Sequence, residues 1–258
     1  MNHEDLLTKQ FLITVPAGKR LIAKAVISLK QIQRALESNT IVIVAGTTNS
    51  YVAQELLAQL NQTGDFIRDN FFRGITVGPG REIIPGNEGF TGKDVVIEKG
   101  TWRRDKGVFD VAAGLNQGDI IVKGANAVSM DRTQAGVLIA NPNIGTSAPV
   151  LQAVIGRRVG LIIPVGLEKR VCGNIGEIAA TLNSPNTLGN RMVPISGTII
   201  TELEAIKLLT GADAKLVAAG GVFGAEGGCY VAVTGTSKQL ISAEAIIKKI
   251  EKEPPFGK

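Results

Sequence analysis

Four stretches of the chain, IVIV (41–44), DIIV (119–122), GVLI (136–139) and GLIIP (160–164), are apolar at almost every position. A strand with one wet face alternates apolar and polar residues, whereas these runs would bury both faces, as strands do in a parallel sheet covered on two sides. Helical spacing separates them. Leu21, Ile22, Ala25, Val26, Leu29, Ile32 and Leu36 fall on one face of a helix over 19–38, and Val52, Leu56, Leu57 and Leu60 form the stripe of another over 51–60. The chain therefore reads as α/β with a mostly parallel sheet.

The remaining elements are less regular. QFLITVPAG suggests a short strand ending in a turn, and GITVG and DVVIEKG suggest two more strands among turn signals between 64 and 110. From about residue 191 the order becomes β, α, β, β, α, with GAEGG as a glycine-rich hairpin turn. This predicts two domains, residues 1–188 carrying the main sheet and 189–258 forming a small α+β lobe. LNSPNTLGN (182–190) is the expected linker.

Several function classes are disfavoured by composition. Net charge is +5, but the densest basic knot is only WRRDK (102–106) and aromatics are 4% of residues, so the basic stripe with interleaved aromatics of a nucleic-acid binder is missing. Small anions suit a mild positive balance better. No apolar run approaches the roughly 18 residues of a membrane span. The start, MNHEDLLTKQ, places Glu4 and Asp5 where a signal peptide would be basic, so a cytoplasmic location is expected. One histidine, His3, and two cysteines, Cys172 and Cys229, argue against a zinc site and against histidine acid–base chemistry; the cysteines read as core fillers. No metal or cofactor is expected, and a homo-oligomer is.

Chemistry would sit where apolar strands run out into small, hydroxyl-bearing corners. The first is Gly46-Thr47-Thr48-Asn49-Ser50, ahead of the helix over 51–60. Two readings compete: an anion site built from helix N-terminal amides and hydroxyls, or a plain helix cap. A second corner, Asn143-Ile144-Gly145-Thr146-Ser147, repeats the composition, and two such corners converging on one phosphorylated ligand favour the anion reading. Between them, Lys123, Gly124, Asn126 and Asp131 follow a buried strand and would face the same cleft. Lys123 reads as a phosphate counter-charge or as a snorkelling strand-end lysine. Glu168 and Lys169 follow another strand, and a plain surface ion pair is the competing reading. Arg81 in VGPGRE could meet an anion, though a solvated arginine is the simpler reading, and GGVFGAEGG reads as a hairpin.

At these corners the chain resembles the superfamily of ribose-5-phosphate isomerase A, glucosamine-6-phosphate deaminase and the CoA transferases. VAGTTNSYVAQELL is similar to that group's first phosphate loop. GDIIVKGANAVSMDRTQAGVLIANPNIGT is similar to a stretch of the methylthioribose-1-phosphate isomerases and their translation-factor relatives. The likeness runs over residues 20 to 175. It implies a Rossmann-like sheet with a sugar phosphate or related ligand at Gly46 to Ser50 and Asn143 to Ser147. The pattern is broken at the catalyst, because the family's Gly-Ala-Asp carboxylate falls on Asn126, and an amide accepts no proton at neutral pH. Three functions follow as expectations. The first is an isomerase-like enzyme with an altered site, in which Asp131 or Glu168 moves the proton and Lys123 or Lys169 steadies an enediolate. The alternative is a non-catalytic metabolite sensor or regulatory subunit, and the third an acyl-CoA transferase.

Overall fold

Strand β1 (Leu7–Ile13) opens the described part of the chain and runs directly into helix α1 (Val15–Ser28). Thr14 caps that helix by accepting the Ala17 amide at 3.4 Å, with Pro16 in the first turn. The computed structural model describes residues 6–73, 76, 78 and 93–257. The strand expected at GITVG falls largely outside these residues, as do His3 and Arg81. A single extended residue, Leu29 (φ −62°, ψ 130°), separates α1 from α2 (Lys30–Ser38), so the continuous helix expected over 19–38 is two helices. Side chains take over carbonyls at the break: Ser28 Oγ donates to Ala25 O at 2.8 Å and Gln33 Nε2 to Ile27 O at 2.5 Å.

The chain continues through β2 (Thr40–Ile43) and α3 (Thr47–Gln59) to the antiparallel pair β3 (Val95–Glu98) and β4 (Thr101–Trp102). Next come α4 (Val108–Val111), β5 (Ile120–Val122), β6 (Ala127–Ser129), β7 (Ala135–Ile139) and α5 (Ser147–Arg157). Strands β8 (Gly160–Pro164) and β9 (Arg170–Val171) precede α6 (Ile175–Leu182), β10 (Arg191–Ile195) and β11 (Thr198–Ile200). Helix α7 (Glu202–Thr210), the hairpin β12 (Asp213–Ala219) and β13 (Cys229–Gly235), and α8 (Ser237–Ile250) complete it.

Among the described residues the strands form three sheets. The largest has the order β11-β8-β5-β2-β3-β4; its first four strands are parallel, and β3 and β4 extend it antiparallel. Side chains of β2 alternate between two cores. Ile41 and Ile43 pack with α1, α2 and α3 on one face, while Val42 and Val44 pack with Val150 and Ala153 of α5 on the other. The side chains of Ile41, Val42, Ile43 and Val44 are all buried, which is why the run shows no polar alternation. A core isoleucine of this kind cut to alanine costs about 2–5 kcal/mol.

Two expectations change. GVLI, read as a strand of the main sheet, is β7 of a second sheet with the order β10-β7-β6-β9, where β7 has antiparallel neighbours on both sides. Residues 189–258 also do not pair as a lobe of their own. Strand β10 joins the second sheet, β11 joins the first, and the β12–β13 hairpin takes the N-terminal β1 as its third strand, Leu7 opposite Gly235. Strand pairing therefore crosses the boundary expected at 188/189. Among the described residues no helix is long and apolar enough to cross a membrane.

Candidate functional site

The parallel strands end together on one side of the large sheet. Past β2 the ladder continues for one bond, Val44 N to Val122 O at 2.9 Å, and the Ala45 amide then donates to the buried carboxylate of Asp94 at 2.9 Å. Gly46 is extended (φ 175°, ψ 154°) and caps α3, whose first intrahelical bond runs from Ser50 N to Gly46 O at 2.8 Å. The expected loop 46–50 is thus a cap followed by the first helical turn, in which the amides of Thr47, Thr48 and Asn49 have no carbonyl four residues back to meet. Asn49 is no cap. Its Nδ2 donates to Val44 O at 2.8 Å and to Val122 O at 3.1 Å, pinning the helix to two adjacent parallel strands. Ser50 turns inward, donating to Thr47 O at 2.8 Å.

The second corner leaves the second sheet and enters α5. Here the backbone is largely satisfied from within: Asn143 N meets Asn141 Oδ1, Ile144 N meets Asn141 O, and Ser147 N and Ala148 N meet Ile144 O and Gly145 O. Ile144 and Gly145 both have positive φ (52° and 53°), an uncommon and strained geometry for a β-branched residue. The amides of Gly145 and Thr146 remain for other partners.

Lys123 connects the corners. It follows β5, its amide bonds Ile162 O at 3.0 Å, and its buried side chain donates from Nζ to Thr146 Oγ1 at 3.0 Å. Burial is the main cause that lowers its pKa to about 8, with the Arg73 cation acting the same way and Asp94 opposing. Asp94 itself is engaged by Arg73 at 3.1 Å and by the amides of Ala45 and Val108.

Both corners and Lys123 line one cavity of about 1120 Å³. Thr47, Thr48 and Asn49 contribute from α3, Gly145, Thr146 and Ser147 from the second corner, and Gly124 and Asn126 from the end of β5. Val137, Leu138 and Ile139 of β7 also line it. Three buried polar atoms of this lining, Thr48 Oγ1, Asn49 Oδ1 and Ser147 Oγ, have no hydrogen-bond partner among the described residues. Buried polar atoms are ordinarily satisfied, and an unpaired one has a cause such as local strain or an ordered water or ion. Arg73, Lys123 and Lys169 supply positive charge to the lining and Asp69 negative charge. Amides, hydroxyls and cations converging in a partly closed space suit a small anion.

No family model, curated protein or solved structure matches this chain.

Several expected site residues lie elsewhere. Asp131 is absent from the cavity lining; it sits in the turn between β6 and β7, accepting from Ser129 Oγ at 2.5 Å, Thr133 Oγ1 at 2.8 Å and Thr133 N at 3.1 Å. Those donors hold its carboxyl below the usual range. Ser50 and Asn143 are also outside the lining, and Asn126 reaches the cavity while its Oδ1 accepts the Leu138 amide at 3.0 Å. Glu168 and Lys169, 3.9 Å apart, are mostly buried and not a surface pair. Beside them Glu202 is buried, accepts the Leu167 amide at 2.9 Å and is held above the carboxylate range, first by burial and then by Glu168. Cys172, expected in the core, is exposed; Cys229 is buried.

Asp69, Arg73, Asn190 and Phe256 line the cavity without having been singled out. Asn190 ends the expected linker and Phe256 lies past the last helix, where no local pattern points to a site. Phe256 arrives because the ring packs edge-on to Phe72 at 5.6 Å, while Glu253 binds Arg20 at 2.9 Å and Arg68 at 2.7 Å.

Proposed function

We propose that this protein binds a small phosphorylated metabolite, a sugar phosphate in the first instance, in the cavity between the two corners. The observation that carries the reading is the shared lining: the helix start of α3, the Gly145–Thr146 turn and the buried Lys123 line one space, and among the described residues Thr48 Oγ1, Asn49 Oδ1 and Ser147 Oγ of the same lining have no hydrogen-bond partner. Topology supports it. From β2 the chain builds β3 and β4 on one side and β5, β8 and β11 on the other, and a Rossmann-like sheet takes its ligands where strand order reverses in this way. The resemblance to the sugar-phosphate isomerase and CoA-transferase superfamily points to the same ligand class, although a fold alone implies no activity.

Gly46 offers the test. A Cβ added there meets no atom of the described residues within 4 Å, and its extended backbone suits any residue, so Gly46→Val should fold normally while crowding the cavity. Calorimetric titration with ribose 5-phosphate, glucosamine 6-phosphate and inorganic phosphate should give binding that the variant weakens at least about tenfold, roughly 1.4 kcal/mol. Absence of binding by all three, or equal binding by the variant, contradicts the reading.

A non-catalytic sensor is the second reading. Asn126 occupies the position where the related isomerases carry their carboxylate, and its amide oxygen is already engaged by Leu138. Asp131 lies away from the cavity and cannot replace it. Binding without interconversion of aldose and ketose phosphates would favour this reading over the isomerase-like one.

A further inference from the structure

Lys123 is placed unusually for a lysine that only balances charge. Its side chain is buried in the floor of the cavity, at the end of β5 with β2 and β8 on either side. Among the described residues its hydrogen-bond partner is a neutral hydroxyl, Thr146 Oγ1 at 3.0 Å. Asp94, whose field reaches it, is taken up by Arg73 and two backbone amides. The other lysine of the lining, Lys169, has the carboxylate of Glu168 at 3.9 Å. A desolvated lysine with no carboxylate in hydrogen-bond reach among the described residues gives up its proton readily, and the neutral amine is the form that attacks carbonyl carbon.

We propose that Lys123 Nζ forms an imine with the carbonyl carbon of a phosphorylated aldehyde or ketone whose phosphate lies against the two corners. The proposal rests on the phosphate-binding reading above and adds a covalent step to it. Neutral Nζ attacks the carbonyl carbon, a C–N bond forms, and the π electron pair moves to oxygen. A proton passes from nitrogen to that oxygen, with the Thr146 hydroxyl in position to relay it. A second proton transfer from nitrogen lets the oxygen leave as water while the C=N bond closes. Nothing is oxidised or reduced, and lysine plus carbonyl gives imine plus water. Lowering of the Lys123 pKa to about 8 by burial agrees with a usable share of neutral amine near neutral pH. The step needs no carboxylate at position 126, where the chain has an amide.

Borohydride trapping tests it on the full chain. Dihydroxyacetone phosphate is the carbonyl probe and glycerol 3-phosphate, which has the phosphate without the carbonyl, is the control; calorimetry records the binding of both. With sodium borohydride, hydride from the reagent converts an imine to a stable secondary amine. The protein should then gain the mass of dihydroxyacetone phosphate less one oxygen atom, at a single site mapped by peptide mass spectrometry to Lys123. Excess inorganic phosphate should reduce labelling at least tenfold, and glycerol 3-phosphate should give no label. Lys123→Arg forms no imine and should lose the label; if that variant does not fold, site mapping in the unaltered protein decides alone. Binding of the probes without label on Lys123, or label spread over surface lysines and insensitive to phosphate, overturns the imine and leaves the phosphate site standing. No binding of either probe overturns both.

Discussion

The corners at 46–50 and 143–147 have nearly the same composition and are built differently. The first is a helix start whose leading amides are left open, anchored from behind by Asn49 across two parallel strands. The second spends most of its amides on its own turn, holds two residues at positive φ, and offers chiefly the Thr146 hydroxyl, which Lys123 takes. Glycine, threonine, serine and asparagine at a strand-to-helix junction therefore do not specify one device. The strand that feeds the junction decides: α3 starts just beyond the end of β2, which runs parallel to β5, while β7, antiparallel to both its neighbours, reaches α5 through a longer turn.

The contrast can be broken hardest at Asn49. Asn49→Asp would set a buried carboxylate against the carbonyls of Val44 and Val122, replacing two donated bonds with repulsion. It should cost about 3–5 kcal/mol in urea unfolding, as a buried charge without a partner does. A loss below about 1 kcal/mol would mean that Asn49 does not anchor the first corner.

Lys123 sharpens the comparison through pH. Its folded pKa is about 8 against the ordinary 10.5, so between those values the unfolded chain binds more protons and stability rises with pH. Below about pH 8 the full cost of burying the ammonium is present. Lys123→Met should therefore be more stable than the parent at pH 7, by about 1–3 kcal/mol, with the gap closing as pH rises toward 10.5. The same variant should lose anion binding. A constant gap over this range, or a less stable variant at pH 7, would contradict the account.

The smallest effect separates the two glycines. Gly145→Ala must place an L-residue at φ +53° and should cost about 1 kcal/mol, although its Cβ would meet only Asn141 Cβ at 3.7 Å. Gly46→Ala, extended and facing open space, should change stability by less than about 0.5 kcal/mol. Thermal melts of the pair check the difference, and equal losses would mean that the corners are not built differently.

The large sheet was readable because burying both faces of β2, β5 and β8 requires uninterrupted apolar runs, and such runs carry their meaning locally. Both corners and Lys123 could be picked out for the same reason, since each directly follows a run of this kind. The second sheet was not, because β6 and β9 have three and two residues, too short to show a period, and β7 resembles a parallel strand in composition. Long-range pairing was equally hidden: nothing near Leu7 announces Gly235 as its partner. Asp131 looked like a cleft acid because it follows the Lys123 strand, but the bonds from Ser129 and Thr133 fold it into a turn. Phe256 and Asn190 reach the cavity through tertiary packing alone.

The central claim, that both corners face a single anion, is tested most directly by following backbone amide resonances during titration with ribose 5-phosphate. The account predicts that the amides of Thr47, Thr48 and Asn49 shift together with those of Gly145 and Thr146 along one binding isotherm. Shifts at one corner with silence at the other, or separate isotherms for the two, would contradict it.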